Sequence, residues 1–234
     1  MARWYFLAIS LLLLAHVVVG FTPTLFFRPL FDVPRIPAYL FVHGIVLTTW
    51  FLWLVLQSTL VATNHTNLHR RAGVVGVGIA VGVIAVSLVT MLNFIPRMRQ
   101  AGLVDVSIES GTLVQLVISS ALALAAFTIL VALAVAHRRR PPLHKRLMVF
   151  ASIAIIGPAG SRMPAALTAL GLSPAIALIL LLALLTAPIL YDLADRGRPH
   201  LVTVVCLSVV IGSVPMSIAA TRQESIRAFV MQLR

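Results

Sequence analysis

Acidic side chains are scarce in this chain: six Asp and Glu stand against 18 Lys and Arg among 234 residues, and charged residues of both signs make up only 10%. A soluble domain carries roughly a quarter charged residues on its surface, so a water-exposed globular fold is excluded at the outset. Cysteine is represented once, by Cys206, which rules out an intrachain disulfide and any thiolate-rich metal cluster. Lysine also occurs once, as Lys145 in a polar turn, so the last apolar segment has no amine for a retinal Schiff base. HExxH, a phosphate-binding glycine loop with lysine and GxSxG are all missing. No catalytic residue is therefore assigned.

What the chain has is apolar length. Hydrophobic residues make up 60%, arranged in runs near 4–21, 38–62, 72–95, 111–136, 144–163, 173–192 and 200–219. About 20 apolar residues cross a bilayer as a helix, so the expected fold is an all-α, polytopic bundle of about seven spans over residues 1–220, followed by a short basic amphipathic tail at 221–234. The first run lacks a small-residue cleavage site and reads as a retained helix. The fifth contains Gly157, Pro158, Gly160, Arg162 and Pro164 and is expected to kink or unwind.

The net charge of +12 would suggest nucleic acid in a soluble protein, but in a polytopic one it marks cytoplasmic loops. Arg70 and Arg71, then Arg138, Arg139, Arg140, Lys145 and Arg146, then Arg196 and Arg198 follow alternate spans, which places the N-terminus inside and the C-terminus outside. The same cations are expected to contact anionic lipid headgroups, and Arg162 is a candidate for an anionic group or for pairing with Asp32, Asp105 or Glu109. Asp192 is expected to pair with Arg146, Arg70 or Arg196. The bilayer, and further a membrane protein complex, are the expected partners. Nucleic acid is not.

His43, Trp50 and Gln57 are spaced by sevens and share one helix face, a polar stripe inside a membrane-length segment that must turn to protein, ligand or water. His16 and His43 lie at matching depth, about 7–8 Å below the outer interface at 1.5 Å per residue. One reading makes them ligands of haem b or a copper ion, with Trp50 and Gln57 lining the cavity, and gives a second centre to His69 and His144 near the inner surface. The other gives these histidines hydrogen bonds to neighbouring helices and wet headgroup positions. LHRR at 68–71 and LHKR at 143–146 echo one another 75 residues apart, which reads either as two independent basic turns or as a repeat in which the second and third spans correspond to the fourth and fifth.

The succession of His43, Trp50, Gln57, His69, Arg70, Arg71 and Gly73, with LHKR at 143–146 and YDLADRGRPH at 191–200, resembles a family of uncharacterised bacterial multi-pass membrane proteins. The similarity runs from Phe21 to about His200 and implies a bacterial cytoplasmic (inner) membrane, with no established activity. A looser similarity in style links the chain to small membrane factors of terminal-oxidase maturation. The expectation is a haem- or metal-associated redox or respiratory accessory protein; the alternative is a non-catalytic scaffold, small-solute carrier or lipid-binding protein.

Overall fold

The computed structural model describes residues 2–33, 35–102 and 109–232, with side chains described at all of these except 2, 3, 109 and 110. The described residues are helical with no strand: α1 (Ala2–Gly20), α2 (Ala38–Ala62), α3 (Thr66–Leu92), α4 (Phe94–Gln100), α5 (Glu109–Ala136), α6 (Pro141–Ala154), α7 (Gly157–Ala169), α8 (Ala175–Arg196), α9 (Leu201–Thr221) and α10 (Glu224–Met231). A π-helical turn, Thr22–Phe26, and a 3-10 turn, Arg28–Leu30, join α1 to α2.

Each of the seven apolar runs is helical. Five stretches, Ala38–Ala62, Thr66–Gln100, Gly111–Ala136, Ala175–Arg196 and Leu201–Thr221, are long and apolar enough to cross a membrane. The pair α6 and α7, bent by 56°, makes a sixth, and α1 contributes a shorter apolar helix. The expected disturbance in the fifth run is thus a break at Ile155–Ile156, where α7 restarts with Pro158 in its first turn, a position that has no use for an amide hydrogen. Large apolar side chains face outward, Val74 at 75% and Leu201 at 74% exposure, as a lipid-solvated surface allows. The chain is an all-α, multi-pass membrane bundle.

Helix ends sort into two sets. At one, here the basic end, the start of α1 meets the end of α8 through stacked Tyr5 and Tyr191, with ring centroids 4.2 Å apart. The start of α6 joins them, with Lys145 Nζ 3.2 Å from the Tyr191 hydroxyl and over the Phe6 ring. Arg146, grouped by sequence with the surface cations, is 4% exposed and donates through Nε and Nη2 to Asp192, which is fully buried. The other Asp192 oxygen accepts the His200 amide and the Thr203 hydroxyl at the start of α9. One carboxylate therefore ties α6, α8 and α9 together, the tethering pair expected for Asp192. Burial, with Arg146 and Arg196 nearby, holds His200 below its usual range, so its neutral Nδ1 accepts the Val202 amide and caps α9.

At the opposite end, Gly20 of α1 abuts the Ala159 backbone of α7, and Gly44 of α2 meets Leu25. There α10 buries Val230 with Ile95, Leu113 and Val114, while Arg99 donates to the Met231 carbonyl. The tail is thus a docked amphipathic helix as far as residue 232; Leu233 and Arg234 lie outside the described residues.

Trp50 is the hub of the core. It is 2% exposed, its Nε1 donates to Ser152 Oγ on α6 at 3.1 Å, and its ring stands edge-on to Phe127 of α5. Trp50→Phe removes one donor and a little volume while Ser152 keeps its bond to the Met148 carbonyl, so thermal unfolding in detergent should show a loss of about 1–2 kcal/mol.

Candidate functional site

Two helices that open with the echoed motif bring their histidines together. His69 on α3 and His144 on α6 place their ring centroids 6.3 Å apart at an interplanar angle of 76°. The local sequence explains the meeting. Asn64 adopts φ 65°, the left-handed conformation that Asn tolerates, and turns the chain from α2 into α3 so that His69 follows one turn after the helix starts. On the other side, Pro141 and Pro142 open α6, and His144 Nδ1 lies 2.9 Å from the Ala134 carbonyl at the end of α5.

That contact makes Nδ1 of His144 the N–H, since a carbonyl only accepts, and leaves Nε2 with the lone pair. The His69 ring approaches the main-chain carbonyl of Gln57, and its Nδ1 is buried without a partner. Both polar atoms of the Gln57 carboxamide are likewise buried and unpartnered, and so is Nε1 of Trp53, one turn earlier on α2. Buried polar atoms in apolar surroundings cost about 1–3 kcal/mol each when unpaired, and four of them lie along this seam. Gly76 lies under the Trp53 indole, 2.8 Å from Nε1 to where a Cβ would stand, whereas Gly73, one turn beyond His69, has open space beside it.

The other sequence candidates sit elsewhere. His16 is 1% exposed, with Nδ1 on the Leu12 carbonyl of its own helix at 3.1 Å and Nε2 unpartnered. Nδ1 of His43 is buried without a partner. The structure does not bring the rings of His16 and His43 into contact: among the described residues the packed histidine pair is His69–His144. Trp50 is committed to Ser152 rather than to a cavity. Gln57 does not reach Ser119, Ser120 or Thr128, whose hydroxyls bond carbonyls of their own helix.

Arg70, Arg71, Arg138, Arg139 and Arg140 are exposed around the histidine pair, while Lys145 is half-buried among Phe6 and Tyr191. Arg162 donates to the Pro158 carbonyl and lies over the Phe21 ring; of its expected acidic partners, Asp105 and the side chain of Glu109 lie outside the described residues. Tyr5 and Thr24, whose hydroxyls are also buried and unpartnered, carried no signal in the sequence, since a lone hydroxyl in an apolar run ordinarily bonds its own helix.

No family model matches the chain, and no curated protein or solved structure is similar to it. The functional reading therefore rests on side-chain geometry.

Proposed function

We propose that this is a metal- or haem-associated redox or respiratory accessory protein of a bacterial cytoplasmic membrane, its N-terminus in the cytoplasm, with His69 and His144 as the ligating pair. The observation that carries the reading is their separation. A metal–imidazole bond is about 2.0–2.1 Å, so two rings on opposite sides of one ion have centroids roughly 6 Å apart. The 6.3 Å between His69 and His144 fits that arrangement. The Ala134 carbonyl behind the His144 ring is the usual device for fixing the tautomer of a ligating histidine.

Two imidazoles, with no group of three or more His, Cys, Asp or Glu among the described residues, would hold haem iron or a copper ion rather than tetrahedral zinc, which takes four ligands. Bound there, such a group would supply one-electron chemistry. Gln57 would hydrogen-bond at its edge, and the exposed arginines would attract its anionic substituents or lipid headgroups, each contributing about 1 kcal/mol near the surface.

Protein purified after gentle solubilisation should show either a Soret band or near-stoichiometric copper, and the two readouts separate haem from copper. His69→Ala and His144→Ala should each remove that signal, while His16→Ala leaves it. Loss in His16→Ala with retention in His69→Ala, or no Soret band and no copper after reconstitution with either, would leave the scaffold reading.

A further inference from the structure

We infer, resting on the reading of His69 and His144 as a ligating pair, that the metal is a copper ion which enters from the basic end by way of two further imidazoles, His65 and His137. The four histidines form a chain whose links are contacts in the structure. At its centre the His69 and His144 rings are 6.3 Å apart. His65 is the residue before α3, and its carbonyl accepts the His69 amide at 3.0 Å, so these two histidines stand one helical turn apart. On the other side, Nδ1 of His137 lies 2.9 Å from the Leu133 carbonyl, and Nδ1 of His144 lies 2.9 Å from the carbonyl of Ala134, the next residue of α5. Adjacent carbonyls at one helix end hold both rings. His65 is exposed and His137 is half-buried, whereas Nδ1 of His69 is buried, so the chain runs from solvent inward.

One device recurs along it. The Thr63 hydroxyl donates its hydrogen to the Thr59 carbonyl and so accepts from Nδ1 of His65, 2.9 Å away. His137 and His144 donate through Nδ1 to carbonyls, which only accept. Three imidazoles thus have Nδ1–H tied to an oxygen and the lone pair on Nε2, the arrangement in which an outer oxygen orients a ligating histidine. No group of three or more His, Cys, Asp or Glu among the described residues converges as one metal cage, so the histidines serve as successive pairs: His65 with His69, His69 with His144, and His144 with His137. Pairs that share a member let a copper ion advance by exchanging one Cu–N bond for another. The oxidation state does not change, and no proton is released where Nε2 already carries the lone pair. Haem is too large to advance in this way, which decides for copper. Exposed Arg70, Arg71, Arg138, Arg139 and Arg140 repel a bare cation, so the donor is an anionic copper chelate, which the same arginines attract.

The test loads the full chain, in nanodiscs of phosphatidylcholine, from cuprous bicinchoninate, an anionic complex; fading of its colour gives the rate, and bound copper per chain gives the end-point. Wild type should load to near stoichiometry. His65→Gln and His137→Gln should each slow loading several-fold and the double variant more, all reaching the wild-type end-point, whereas His69→Ala should lower the end-point itself. Folding is not at risk in His65→Gln, since the His65 side chain makes no capping bond to α3. Added salt should slow loading by screening the arginines. Loading of the double variant at the wild-type rate, an end-point lost in it as fully as in His69→Ala, or loading that salt speeds up overturns the route, and each of these leaves His69 and His144 as ligands. A Soret band after reconstitution with haem, without copper uptake, also overturns the route alone. Absence of both haem and copper sinks the ligating pair together with the route.

Discussion

Asp192→Ala is expected to be the most damaging single change, lowering stability by about 3–5 kcal/mol, because it leaves the Arg146 guanidinium buried without its counter-charge. Arg146 is 4% exposed and Asp192 is fully buried, so water does not screen the loss. The effect is compounded by two further donors, the His200 amide and the Thr203 hydroxyl, which lose their acceptor together. Three helices share this carboxylate. The expected result is therefore release of the start of α9 from α6, read as a large fall in thermal midpoint and as new protease sensitivity in the turn at 197–200. The double substitution Asp192→Leu, Arg146→Met separates charge from packing: replacing both ions by apolar groups should recover much of the loss, since a buried ion pair is often no better than hydrophobic contact of equal volume. If Asp192→Ala alone melts like wild type, the carboxylate does not hold this end together.

How legible was this architecture beforehand? The seven runs could be read because lipid demands length and apolarity, which are properties of composition. Gly157 and Pro158 announced the break in the fifth. The alternation of ends followed from where Arg and Lys concentrate, and the structure has the same alternation. What the positive-inside rule does not carry is direction: it weighs Arg146 and Arg70 equally, yet one is buried on Asp192 and the other is exposed. Depth along a helix likewise says nothing of rotation about it. His16 and His43 are at matching depth, yet Nε2 of the first and Nδ1 of the second are each buried without a partner. The stripe of His43, Trp50 and Gln57 lies on one face, as a drift of only about 20° per heptad requires. That face sits on a border, so the long Trp50 indole reaches α5 and α6 while His43 and Gln57 border α3. The best clue to the histidine pair was the LHRR and LHKR echo. Both motifs start a helix after a tight turn at the same end of the bundle, so the second residue of each is delivered to an equivalent place, and His69 meets His144 there.

Gly20→Ala should be the next most damaging change, at about 1–3 kcal/mol, with Gly20→Val worse. The reason is backbone against backbone. A Cβ on Gly20 would stand 2.4 Å from the Ala159 carbonyl oxygen and 2.9 Å from its carbon, closer than atoms approach without something moving. Neither atom belongs to a side chain that could rotate away, so α1 and the first turn of α7 must separate, and with them the contact of Phe21 with Arg162. Gly44 provides the comparison. Its Cβ would meet Leu25 Cδ2 at 2.8 Å, an equally short distance to the end of a flexible side chain, so Gly44→Ala should cost under about 1 kcal/mol as Leu25 changes rotamer. Truncating Ala159 to glycine should not rescue Gly20→Ala, because the clash is with the Ala159 carbonyl and not its methyl group. Thermal melts of the two alanine variants and of the Gly20→Ala, Ala159→Gly double variant decide the matter. Equal midpoints for Gly20→Ala and Gly44→Ala, or recovery in the double variant, would mean that α1 and α7 do not meet backbone to backbone at Gly20.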